Sequence, residues 1–158
     1  MDWTASDFWA AGLLLALPVI TGLVVLRRSG SWAYRAGALA TMVTAMVLIW
    51  MTGAVGLIGA SQNDANLMFA GVLATGTAGA FIARLQATGL AHTLVAMAGV
   101  QTVIGLAALA LGLGQEGAAW PADIIAATAF FTGAWLTAAA LFRLAGRQAR
   151  ANQARTGA

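Results

Sequence analysis

The chain has 158 residues, 61% of them apolar and 8% charged, against about 25% charged in an average soluble domain. A mean hydropathy of +0.84 with a net charge of only +3 excludes a water-facing globule, a nucleic-acid-binding domain and a disordered chain. No cysteine is present, which removes disulfides, thiolate metal sites and cysteine nucleophiles.

A membrane span needs about 20 residues to cross a ~30 Å hydrocarbon core, and charges and turn residues cut the chain into five such pieces. The first runs over 8–26 and stops at Arg27 and Arg28. No basic residue precedes Arg27, so it lacks the positive start of a secretory signal and is expected to remain as an anchor. Pro18 removes a backbone donor there and should bend the helix. A polar hairpin over 29–35 leads to the second span, about 36–60. Ser61, Gln62, Asn63 and Asp64 make a tight turn, with Asn63 or Asp64 placed to cap the third span. That span covers about 65–83 and ends at Arg84. Residues 86–92 turn the chain into the fourth span, about 93–114. A connector closes on Pro121 and Asp123, residues suited to a helix start. The fifth span covers 124–142, and a basic tail, 143–158, follows. The long runs of Ala, Leu, Gly and Val lack the ten-residue alternation of an outer-membrane barrel. The expected fold is therefore all-α, a single polytopic transmembrane domain over 1–158 with five helices.

Charge orients it. With the spans so drawn, Arg27, Arg28, Arg35, Arg84, Arg143, Arg147, Arg150 and Arg155 fall on one side, and Asp2, Asp7, Asp64, Glu116 and Asp123 on the other. The positive-inside rule then puts the N-terminus outside and the C-terminus in the cytoplasm. Trp3, Trp9 and Trp120 sit near the outer interface, and Trp32 and Tyr34 near the inner one, as an aromatic belt requires.

Helices in lipid associate through small residues and hydrogen bonds, because lipid tails are as apolar as leucine. Gly53, Gly56 and Gly59 on the second span, with Gly71, Thr75 and Gly79 on the third, predict that these two spans pack as a tight antiparallel hairpin. No ionisable residue lies inside a span, and such residues are the usual marks of a proton-coupled carrier. The candidate polar site within the membrane is Gln101 with Thr102, near mid-depth in the fourth span. A hydrogen bond from Gln101 to a threonine or carbonyl of a neighbouring helix is the plain expectation, and a solute path the sharper one. His92 is an interfacial residue and the one candidate axial ligand for a pigment or haem. Trp50 and Trp135 lie too deep for belt residues and are expected to pack inside the bundle, each indole N–H seeking a partner. Arg143, Arg147 and Arg150 share a face if the last helix continues, and would meet anionic lipid or an acidic partner. The cluster of Ser61, Gln62, Asn63, Asp64 and Asn66 reads first as capping and only second as a weak cation site. No nucleophile–base pair, phosphate loop or zinc spacing occurs, so neither a catalytic residue nor a metal site is expected.

The text Gly53-Ala-Val-Gly-Leu-Ile-Gly59, followed by Ala65-Asn-Leu-Met-Phe69, Gly71-Val-Leu-Ala74 and Ile82-Ala-Arg84, resembles a family of small, uncharacterised multi-spanning inner-membrane proteins common in alphaproteobacteria. The resemblance covers roughly 50–114, and the turn at 61–64 is less acidic than the family pattern. It implies a bacterial inner membrane and carries no activity.

The function expected from all this is a non-catalytic accessory or structural subunit, or an assembly factor, packed against a larger membrane complex. Respiratory and photosynthetic assemblies supply the analogy. The alternatives are a small oligomeric channel or carrier, and a pigment- or haem-binding subunit. No cofactor is required by the sequence, and the expected partners are membrane lipids with a larger complex or further copies of the chain.

Overall fold

A computed structural model describes residues 31–156 and, before them, residues 12, 16, 19, 20, 22–24 and 27. The described residues of the first expected span are helical, and Pro18, Trp3, Trp9 and the N-terminus lie outside the described residues. Helix α1 is Trp32–Ala54. A 3-10 turn, Asp64–Leu67, opens directly into α2, Met68–Ile82. Helix α3 is Ala87–Ala110 and α4 is Ala122–Thr156. No strand occurs among the described residues. Four helical stretches there are long and apolar enough to cross a membrane, α2 counted together with its 3-10 turn.

These helices suit lipid because most of their hydroxyls are satisfied within the same helix, as a medium without water demands. The hydroxyls of Thr41, Thr44, Thr52, Thr75, Thr77, Thr93, Thr102 and Thr137 each donate to the carbonyl four residues earlier.

The helices run alternately up and down. Helix α4 touches both α3 and α1, making its largest contact with α3, while α2 packs on α3 and scarcely meets α1. Small residues set the approach. A methyl added to Gly105 would collide with Thr128, and one on Gly146 would meet Thr88 Cγ2 at 3.0 Å. Gly37 of α1 lies under the Phe142 ring, which also meets Tyr34 edge-on at a 5.1 Å centroid distance. Trp135, Phe131, Phe142 and Leu48 fill the space between α1, α3 and α4.

Four expectations need correction. The hairpin between the second and third spans does not form, since α1 and α2 scarcely touch. Gly53 and Gly71 face open space, and Gly79 packs instead on Thr93 of α3. Second, α1 stops at Ala54 rather than near 60, and Gly56 and Gly59 lie in the following loop at φ of 82° and 66°. Glycine is a poor helix former, and a better set of partners awaits this stretch, described below. Third, α3 begins at Ala87 rather than 93, because the polar text Gln86–His92 is helical where it meets α4 and exposed elsewhere. Finally, Trp50 is 64% exposed on the outside of α1, whereas Trp135 is interior as expected.

Candidate functional site

The polar residues of the bundle fall into a buried layer, an outer loop and a basic end. In the buried layer, Thr102 of α3 shares a hydrogen bond with Thr132 of α4 at 3.1 Å. This is the cross-helix bond expected of Gln101. Gln101 itself is 0% exposed, and neither its Oε1 nor its Nε2 has a partner. The Trp135 N–H is equally unpartnered. Register places the two residues close in depth, since Thr102 faces Thr132, one position from Gln101 and one turn from Trp135. Burial without partners costs about 1–3 kcal/mol per polar group in water-soluble folds, and less in lipid, where the separated helices also lack water. A water-filled path would wet Gln101, and the surrounding side chains seal it.

At the opposite end from the arginines, Asn66 does the work that the sequence spread over a cluster. Its Oδ1 accepts from the Leu57 and Ile58 N–H groups at 2.9 and 3.0 Å. Its Nδ2 donates to the Ala60 carbonyl at 3.0 Å and to Ile58 O at 3.4 Å. Asn63 accepts from Ala65 N–H and caps the turn, as anticipated. Gly59 and Gly114 meet backbone to backbone, a methyl on Gly114 falling 2.7 Å from Gly59 N. The two outer loops thus close on each other, with Asp64 exposed and Asn63 and Asn66 engaged with backbone. The arrangement is capping, not a cation cage.

At the basic end, Arg143, Arg147, Arg150 and Arg155 are all exposed on α4, and the first three lie on one face. The helix has 35 residues, or about 52 Å at 1.5 Å per residue. That exceeds a ~30 Å hydrocarbon core by about 20 Å. Ser31 Oγ donates to Gln148 Oε1 at 2.8 Å and ties this extension to the start of α1. His92 is exposed on α3, and no group of three His, Asp or Glu residues able to hold a metal occurs among the described residues.

The sequence assigned Tyr34 only to the aromatic belt and Arg84 only to a span end. The Tyr34 hydroxyl donates to the Leu85 carbonyl at 2.6 Å, locking the α2–α3 turn onto α1. Arg84 in that turn has φ 48°, and Leu85 has φ 61°. The missing glycine after Ile82 was the available signal: a helix end with no glycine to close it. No protein family, curated protein or solved structure matches the chain.

Proposed function

We propose that this chain is a non-catalytic accessory or structural subunit, or an assembly factor, of a larger complex in a bacterial inner membrane. It crosses five times, with the N-terminus outside and the arginine-rich end in the cytoplasm. The observation that carries this reading is the projection of α4, a basic helix extending about 20 Å past the hydrocarbon core from a bundle whose interior is filled by side chains. Such a helix offers a rigid, charged docking element, while the bundle supplies only apolar outer faces. The channel alternative loses its site, because Gln101 is sealed. The pigment alternative keeps one exposed histidine, His92.

Photo-crosslinking from position 151, exposed on the same helix, after mild extraction, tests the proposal. One stoichiometric membrane-protein partner is expected, lost when Arg143, Arg147 and Arg150 are all replaced by glutamine. A partner-free homo-oligomer would overturn the proposal. A visible absorbance band abolished by His92→Ala would transfer the assignment to the pigment alternative.

A further inference from the structure

Helix α4 outlasts the bundle that holds it. The Ser31–Gln148 hydrogen bond ties it to the start of α1, and beyond that bond every residue from Ala149 to Thr156 is exposed. With Ala122 at the outer edge, about 20 residues cross the ~30 Å hydrocarbon core, which then ends near Phe142. The headgroup layer adds about 5–7 Å on each side. Arg143 therefore sits at the hydrocarbon edge, and Arg147, about 7 Å out, lies among lipid phosphates. Arg150 stands about 12 Å out and Arg155 about 20 Å out. A tilt of about 20° shortens these heights only slightly. Arg155 thus lies more than one Debye length of ~8 Å beyond the headgroups, where the lipid charge is screened.

The extension supplies no counter-charge of its own. Residues 143–158 hold four arginines and no acid. Arg143 and Arg147 are four apart, and Arg147 and Arg150 three apart, spacings at which like charges repel along a helix. Asp64, Glu116 and Asp123 lie at the other end of the bundle, and Asp2 and Asp7 precede the first expected span. Close anionic groups for Arg150 and Arg155 therefore come only from another molecule.

The shape of the face indicates what kind. At about 100° per residue, Arg150, Ala154, Ala151 and Arg155 follow one another around the helix within about 140°. All four are exposed. The two alanines leave a low strip between two long cationic side chains. A second helix can lie close on such a strip and reach both arginines with acidic side chains, as flanking charges do beside a coiled-coil seam. A lipid surface below would meet only the arginines nearest the membrane.

We propose that the face formed by Arg150, Ala151, Ala154 and Arg155 docks an acidic helix on the cytoplasmic part of the partner complex, while Arg143 and Arg147 hold the lipid surface. This rests on the accessory-subunit reading above. The full chain in phosphatidylcholine nanodiscs tests it, with a fluorescent helix-forming peptide of glutamate and alanine as probe and its glutamine counterpart as control. The glutamate peptide should bind saturably at physiological salt, and the glutamine peptide should not. Arg150→Gln with Arg155→Gln should weaken binding about tenfold, the loss expected of two exposed ion pairs. Arg143→Gln with Arg147→Gln should cost less. All four arginines are exposed, so neither pair of changes removes packing. A spin label on Ala154→Cys should meet a water-soluble nickel complex equally in phosphatidylcholine and phosphatidylglycerol nanodiscs. Protection in phosphatidylglycerol alone would lay the extension on the lipid surface and overturn the proposal. Equal binding of the two peptides overturns it as well, as does a loss from the 143 and 147 pair as large as that from 150 and 155. A partner crosslinked from position 151 without any peptide selectivity would overturn only the acidic docking. Selective peptide binding by a chain that has no cellular partner would overturn only the subunit reading.

Discussion

Four backbone groups released beyond the end of α1 find their partners on one side chain, the amide of Asn66. Aspartate would lose the donor half, and alanine would orphan two buried N–H groups. At about 1–3 kcal/mol for each orphaned group, Asn66→Ala should clearly lower the unfolding midpoint in detergent, followed by circular dichroism. An unchanged midpoint would mean that water reaches Leu57 and Ile58 in its place. Gln101 is the opposite case. Its amide satisfies nothing and is satisfied by nothing, so Gln101→Leu, of similar volume, should raise the midpoint by about 1 kcal/mol or more in stability. A lower midpoint would show that the amide has a partner in the membrane, such as an internal water, and that the layer is polar by requirement.

Among the helices, the informative contrast is between glycines that face a neighbour and glycines that do not. Gly105 lies against Thr128, while Gly99, on the same helix, has nothing within 4 Å. Gly105→Leu should therefore separate α3 from α4 and cause aggregation on extraction, read by size-exclusion chromatography. Gly99→Leu should elute like the parent. If both behave alike, the α3–α4 contact is not set by close approach at Gly105. This contrast was not legible in the sequence. The helices are apolar nearly all round, so periodicity marks no inner face, and every span carries glycine, alanine and threonine. Choosing Gly53 and Gly71 as contacts amounted to choosing the densest small-residue text, which turned out to point outward. The helix ends suffered similarly: hydropathy cannot distinguish the apolar loop after Ala54 from more helix, and its closure depends on Asn66 in a later element. What was legible was what lipid imposes on composition, namely helical class and apolar helices long enough to cross a membrane after residue 31, together with one of the two expected caps, Asn63.

For the molecule as a whole, charge and connectivity agree. Arg35, Arg84 and the arginines of α4 gather at one end, where Tyr34 reaches the Leu85 carbonyl and Ser31 reaches Gln148. Asp64, Glu116 and Asp123 gather at the other, where the loops meet at Gly59 and Gly114. A bundle so polarised has one favoured insertion, because basic residues close to span ends resist translocation. The absence of cysteine makes this directly measurable, since any introduced cysteine is the only thiol. In intact cells with the outer membrane permeabilised, a membrane-impermeant maleimide should label Gln115→Cys and spare Asn152→Cys. Inverted inner-membrane vesicles should reverse the pattern. Both positions are exposed, so burial does not confound the comparison. Labelling of both from one side would place the two ends of α4 on the same face of the membrane, and α4 would then not be a span. Labelling of Asn152→Cys alone in intact cells would invert the molecule, placing Arg84 and the arginines of α4 on the outer face.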